Sequence, residues 1–311
     1  MINVIVGQTA SGKNALAFQI ATSIDTEIIS VDSMKIYRGM DIGTSKPSLE
    51  QRKKPRYHLI DIVNPWESYN VAEFVKDCDS AIADIIKRGK KPLLVCGTPL
   101  YLKALLYGIF SDLSSSAELR AELEKTASEK GLDFLYERLR KIDPVRVRGA
   151  DKIHPNDKKR IIRAIEVYTL SGKPISSFQT HFNKNELRYQ ATMVGLKRTS
   201  EDLYRRINDR VEEMFHRGLV DEVKKLVNSP RGLSSQAQQA VGYKEVIKYL
   251  KGEITLEEAK NEVKKNTRHL AKRQMTWFRR FPQIKWIECP PDATTAQIYD
   301  KVIKVINSAN L

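Results

Sequence analysis

The sequence predicts an α/β fold: a P-loop-type parallel sheet core flanked by helices, with an inserted all-helical subdomain. Three observations lead there. Short apolar, β-branched runs alternate with helical patterns over the first hundred residues, as in a parallel sheet covered on both faces. A glycine-bearing stretch, GQTASGKN (7–14), sits between the first such run and the first helix. A charged, Leu/Glu/Lys/Arg-rich block with little strand signal then separates these early strands from two later ones.

Taken in order, INVIVG (2–7) reads as a strand and NALAFQIATSI (14–24) as the helix after the loop. EIISVDS (27–33), YHLIDI (57–62) and KPLLVCG (91–97) read as further strands. EFVKDCDSAIADIIKRG (73–89) carries apolar residues at helical spacings of three and four. In the charged block, ELRAELEKTASEKG (118–131) is a helix stopped by Gly131, and KKRIIRAIEVYTLSGKP (158–174) one stopped by Gly172 and Pro174. QATMVGLKR (190–198) and IKWIEC (284–289) supply the remaining strands, and 201–228 and 256–281 read as long amphipathic helices. The expected organisation is a catalytic core of 1–112 and 189–311 with a helical insertion at 113–188.

The chain has 311 residues, 41% hydrophobic and 29% charged, and no apolar run near the roughly 20 residues that span a bilayer. MINVIVGQ enters a strand-like run without the basic flank of a secretion signal, so a cytoplasmic protein with no membrane partner is expected. Cys78, Cys96 and Cys289 form no CxxC pair, which argues against a zinc site. Fifty-three Lys and Arg against 38 Asp and Glu give a net charge of +15, suited to a polyanionic partner. The segment KKNTRHLAKRQMTWFRR (264–280) holds seven of these cations and no acid, with Trp277 and Phe278 interleaved. Phosphate contacts beside stacking rings are what nucleic acid requires.

Gly7 and Gly12 allow the tight turn of a phosphate loop, whose amides, helix N-terminus and Lys13 make a concave anion site. The motif lacks its usual final hydroxyl, because Asn14 stands where Ser or Thr ligates Mg²⁺. An Asn carbonyl oxygen also coordinates hard cations, with different geometry. Asp61 is the candidate acidic metal ligand of a kinase or NTPase reading, or an acid closing a strand in solvent. Asp32 falls at the carboxyl end of a strand beside the loop, where it serves either as a proton acceptor or as a structural cap.

Together these stretches resemble the bacterial tRNA dimethylallyltransferases, also called tRNA isopentenyltransferases. The resemblance runs through GQTASGK, ISVDSMKIYRGMDIGTSKP, YHLIDIVNPWESYNVAEF, VCGTPLYLKALLYG, IHPNDKKRIIRAIEVYTLSGKP, VGYKEVIKYLKGE and TRHLAKRQMTWFR, covering nearly the whole chain. It implies transfer of a dimethylallyl group from dimethylallyl diphosphate to the exocyclic amine of the adenine 3′ to a tRNA anticodon, with Mg²⁺ as cofactor. It implies binding of the anticodon stem-loop, and a monomer is expected. Gly7, Gln8, Thr9, Ala10, Ser11, Gly12, Lys13 and Asn14 would hold the diphosphate, with Asn14 the metal contact. The resemblance makes Asp32 the base and assigns Thr98 and Arg210 to catalysis as well, Arg210 clamping the diphosphate. It places Asp32, Ser33, Met34, Lys35 and Thr98 on the tRNA side of a channel into which the adenine is flipped. Further tRNA contacts would come from Arg120 and from Lys159, Arg160, Ile161, Ile162 and Arg163 of the insertion. Gln239, Ala240, Val241, Gly242, Tyr243 and Lys244 would add to these, as would Lys272, Arg273, Gln274, Trp277 and Arg280 of the basic helix.

The chain departs from that pattern in three places. Asn14 replaces Ser/Thr, Gln8 stands where Pro is usual, and VCGTPLY replaces GGTGLY, so that Cys96 and Pro99 stand for two glycines. Cys96 reads as a small buried filler. Two other classes fit parts of the sequence: a prenyltransferase of free adenine nucleotides, which needs neither insertion nor basic helix, and a non-catalytic tRNA-binding paralogue, for which Asn14 speaks.

Overall fold

The computed structural model describes residues 1–108, 116–148, 152–178 and 187–308. The chain divides into two compact units, Met1–Leu106 with Tyr189–Leu311, and Tyr107–Arg188.

The first unit is built on six strands: β1 (Ile2–Gly7), β2 (Thr26–Val31), β3 (Tyr57–His58), β4 (Lys91–Cys96), β5 (Ala191–Lys197) and β6 (Ile284–Glu288). They form one parallel sheet in the order β3-β2-β4-β1-β5-β6. β1 and β2 are buried along their whole length, which is why they read as unbroken apolar runs and not as alternating ones. Val6 pairs with Cys96 and Gly7 with Leu196, so β1, β4 and β5 end level with one another. That edge is where open α/β sheets bind ligands.

Helices Lys13–Ser23 and Thr295–Ser308 cover one face, packing Leu16, Ile20, Ile298, Val302 and Ile306 on Ile5, Val95 and Val194. Helix Val71–Lys87 packs on β2 and β4, and helix Leu256–Phe278 on β1. The former starts in a capping box between Asn70 and Glu73 and buries Phe74, Cys78, Ile82 and Ile85.

Two expected elements differ. YHLIDI pairs in the sheet only at Tyr57 and His58, because Leu59 and Asp61 take φ of 58° and 56° and turn the chain away. The single helix expected over 201–228 is two, Ser200–His216 and Leu219–Val227, broken at Gly218 with φ of 93°.

The second unit is helical where described. Helices Ala117–Lys130, Leu132–Ile142 and Lys158–Ser171 enclose their own core of Leu123, Leu135, Leu139, Ile161, Ile162 and Ile165. Within it Glu166, fully buried, accepts from Arg120 Nε at 2.9 Å, Arg163 at 2.6 Å and the Ser116 amide at 2.9 Å. Burial pushes that carboxyl up, and the two arginines outweigh it and hold it below its ordinary value.

Candidate active site

The phosphate loop is shaped by its glycines. A Cβ on Gly7 would lie 2.6 Å from Ser11 Oγ and 3.3 Å from Ser11 Cβ, so a side chain at residue 7 would displace Ser11 in this tight turn. Gly12 caps helix Lys13–Ser23 at φ 99°, and Ala10 is held in the left-handed region at 62°. The helix carries no acidic residue in its first turn and no side-chain cap, leaving its N-terminal amides to an anion. Ser11 Oγ, buried, has no hydrogen-bond partner among the described residues.

Three arginines brace the loop. Arg198 Nε donates to Ser11 O at 2.9 Å, Arg206 Nε to Ala10 O at 3.0 Å, and Arg210 to Thr9 Oγ1 at 3.4 Å. Arg206 and Arg210 share one face of helix Ser200–His216 with Asp202, which pairs at 2.9 Å with Arg198, the residue just before the helix N-cap. Two of the arginine bonds fix loop carbonyls, and a third carbonyl, Gln8 O, accepts from Lys13 Nζ at 3.1 Å. Sequence reasoning found Arg210 and missed Arg198 and Arg206, although the four-residue spacing was there to see.

The long basic helix closes the other side. Gln8 Nε2 donates to Ala271 O at 3.0 Å, a bond that proline at this position could not make. Gln274 accepts the Thr9 amide at 2.8 Å and donates to Gly97 O at 2.6 Å, tying the loop to the end of β4.

Between these walls lies a cavity of about 120 Å³. Thr9, Lys13, Asn14, Asp32, Lys35, Gly97 and Arg210 line its polar end, and Ile207, Val211, Met214, Val263 and Leu270 its apolar wall. Asp32 Oδ1 accepts the amides of Met34 at 2.9 Å and Lys35 at 3.2 Å, which fixes the carboxylate just past β2. A Cβ on Gly97 would stand 3.3 Å from Asp32 Oδ2 and 3.5 Å from Lys13 Cε, so the glycine keeps this approach open. Thr98 Oγ1 accepts the Ser33 amide at 3.1 Å and holds the two strand ends together.

Burial lowers Lys13 to about 7, helped by repulsion from Lys35 and Arg210 and opposed by Asp32. Burial likewise lowers Lys35 to about 8; Asp32 opposes this, and Arg210 and Lys46 add to it. Arg210 is lowered by burial, again opposed by Asp32, but a guanidinium keeps its charge. The site is therefore a converging set of cations around a single carboxylate, an arrangement that calls for a multiply charged anion. The buried Cys96 thiol is pushed up to about 12, which makes it a filler and not a nucleophile.

The donors here do not fit a protein-held Mg²⁺. Among the described residues no three His, Cys, Asp or Glu gather. Asn14 offers one amide oxygen, and the two carboxylates that share its cavities, Asp32 and Asp209, stand among Lys13, Lys35, Arg206 and Arg210. Asp61, the expected acidic ligand, is consumed by Lys46 at 2.5 Å and by Arg52. Burial pushes its carboxyl up, and these two partners more than reverse that.

The residues expected at a tRNA surface divide. Lys159, Arg160, Gln239, Lys244, Lys272, Arg273 and Arg280 are exposed. Trp277 is half-buried, with the Arg280 guanidinium 5.7 Å from its ring centre. Several others face inward and need correction. Ile161 and Ile162 belong to the core of the helical unit; Arg120, by contrast, stays exposed and Arg163 half-buried while both pair with Glu166. Phe278 is fully buried and is no stacking ring. Gln274 is spent on Thr9 and Gly97, and Lys35 and Ala240 are buried against the cavity. Tyr243 is fully buried and donates to Glu222 at 2.5 Å. For Ile161, Ile162, Gln274 and Phe278 the cause is common: on a basic amphipathic helix, the residues between the cations form the face that packs. Val241 lines the cavity, and Gly242 turns the chain at φ 98°.

Fold and site together define a phosphate-loop α/β protein whose cavity pairs an anion cradle with an apolar wall. The chain belongs to the IPP transferase family, whose model matches residues 35–281. It is 47% identical over 285 residues to a tRNA dimethylallyltransferase of Acetivibrio thermocellus, covering 91% of this chain and 90% of that one. It is 44% identical over 287 residues to one from Geobacter sulfurreducens, covering 92% and 91%. The full-length tRNA isopentenylpyrophosphate transferase of Bacillus halodurans superposes with a TM-score of 0.71 at 38% identity, over 99% of this chain and 97% of that one. A eukaryotic dimethylallyltransferase captured acting on tRNA superposes with a TM-score of 0.82 at 31% identity, over 99% and 79%.

Proposed function

We propose that this protein transfers a dimethylallyl group from dimethylallyl diphosphate to the exocyclic amine of the adenine 3′ to a tRNA anticodon, releasing diphosphate. The observation that carries this is the cavity itself, where a cationic end and a short apolar wall meet at one carboxylate. A diphosphate suits the loop amides, Lys13 and Arg210, and a branched five-carbon chain suits Ile207, Val211, Met214 and Leu270.

The adenine amine is a weak nucleophile because its lone pair is delocalised into the ring. As the new N–C bond forms, Asp32 takes the amine's proton, and the C–O bond of the donor breaks with its electron pair going to the diphosphate. Cations and loop amides fixed in place beforehand stabilise the charge that develops there. Asp32 is oriented for this by the Met34 and Lys35 amides on Oδ1, which leave Oδ2 directed past Gly97. A stacked base cannot reach such a cavity, so the adenine is flipped out of the anticodon loop. The exposed cations Lys272, Arg273 and Arg280 on the core, and Lys159 and Arg160 on the helical unit, suit the tRNA backbone. Among the described residues no helix is long and apolar enough to cross a membrane.

The test is incubation with unmodified tRNA and dimethylallyl diphosphate, followed by digestion and mass spectrometry of the nucleosides. Prenylated adenosine beside the anticodon is expected. Its absence while tRNA still binds would make the protein a tRNA binder without transferase activity.

A further inference from the structure

Lys35 is the cation that the loop motif does not explain. It lies outside residues 7–14, directly after the turn that Asp32 caps, and only 6% of it is exposed. Its ammonium forms no ion pair and no hydrogen bond among the described residues, in contrast to the nearby Lys46, which holds Tyr37 O, Asp41 and Asp61. It repels both Lys13 and Arg210, so all three charges sit close together around one space. A buried, unpaired ammonium is costly and is kept where a ligand completes it.

The second observation is Asn14, which lines the same cavity. A hydroxyl there would help hold a divalent cation against the phosphates; Asn14 supplies an amide oxygen of different geometry instead, with Lys13, Lys35 and Arg210 lining the same cavity. The position that lacks the hydroxyl ligand and the surplus cation thus occur together.

Resting on the diphosphate reading above, we infer that Lys35 is a direct ligand of the diphosphate and replaces the charge neutralisation that a loop-bound divalent cation would give. Lys13, Lys35 and Arg210 then surround the leaving group. The loop binds diphosphate without metal, and Mg²⁺ adds little to the affinity.

The experiment is calorimetric titration of the protein with inorganic pyrophosphate in EDTA and again in millimolar Mg²⁺. Wild type is expected to bind in EDTA with nearly its Mg²⁺ affinity. Lys35→Gln should bind about 10- to 100-fold more weakly in EDTA, the size of one lost charge-assisted contact, and recover part of that in Mg²⁺. Lys35→Arg, which keeps the charge, should stay within about threefold of wild type. Thermal unfolding of each variant separates lost binding from lost folding, and the arginine variant carries the test should the glutamine one fail to fold. Wild-type binding that requires Mg²⁺, or a folded Lys35→Gln that binds in EDTA like wild type, overturns the inference. Neither outcome bears on prenyl transfer, which the nucleoside assay tests separately.

Discussion

Gln274 Oε1 accepts the backbone N–H of Thr9 at 2.8 Å, across 265 residues of sequence, while its Nε2 donates to Gly97 O at 2.6 Å. The same helix turns Lys272 and Arg273 outward, so one element presents cations to solvent and braces the phosphate loop from behind. Gln274→Glu keeps the acceptor for Thr9 but has no donor for Gly97 and places a negative charge beside the anion site. We expect the KM for dimethylallyl diphosphate to rise about tenfold or more, and stability to fall by roughly 1–3 kcal/mol for the unpaired buried carbonyl. The Kd for tRNA should stay near wild type. Weakened tRNA binding with an unchanged donor KM would return Gln274 to the tRNA surface.

Asp32 can be tested without disturbing its turn. Asp32→Asn retains an Oδ1 that accepts the Met34 and Lys35 amides but lacks a carboxylate to take a proton. Turnover should fall by about 10²- to 10⁴-fold while tRNA affinity and melting temperature hold. Single-turnover rates on purified tRNA make the comparison, and a variant within severalfold of wild type would remove Asp32 as the base.

Much of this architecture was legible because parallel strands buried on both faces appear as continuous apolar runs, and because glycine marks the loop that follows the first. The braces were not legible. Arg198, Arg206 and Gln274 bond to backbone atoms 187, 196 and 265 residues away, and a carbonyl has no letter in a sequence. Asp61 illustrates the opposite error. An acid near a strand end resembles a metal ligand until the fold brings Lys46 to it from a separate loop. Phe278 and Ile161 were drawn into a tRNA surface by the cations beside them, when their own helices needed them for packing.

Glu222 anchors one wall of the cavity. Its carboxylate accepts the amides of Asp41 at 3.0 Å, Ile42 at 2.8 Å and Gly43 at 3.3 Å, together with the Tyr243 hydroxyl. Gly43 can approach only because it lacks a side chain, since a Cβ would lie 2.4 Å from the Tyr243 ring. Glu222→Ala should cost about 1.5–3 kcal/mol in urea unfolding and raise the donor KM, because Gly43 and Thr44 line the cavity. Tyr243→Phe, which leaves the three amides satisfied, should cost about 1 kcal/mol. Equal losses in the two variants would show that packing of the ring, and not the carboxylate, holds the wall.

Lys13 makes diphosphate binding depend on pH in a definite direction. In the ligand-free protein it is lowered to about 7, so above that pH it is increasingly neutral while an unfolded chain stays protonated up to about 10.5. Where the unfolded state binds more protons, stability rises with pH, so this lysine's cost sets in as pH falls from about 10.5 to 7 and is constant below. A bound diphosphate reverses the balance by favouring the ammonium. Binding at about pH 8.5 should therefore take up close to one proton at Lys13, and uptake should fade towards pH 6, where Lys13 is already charged. Lys35, lowered to about 8, adds to the uptake at the alkaline end. Calorimetry of pyrophosphate binding in two buffers of different ionisation enthalpy measures this directly. Buffer-independent enthalpies at pH 8.5 would mean that the ligand-free site already holds both ammonium groups charged.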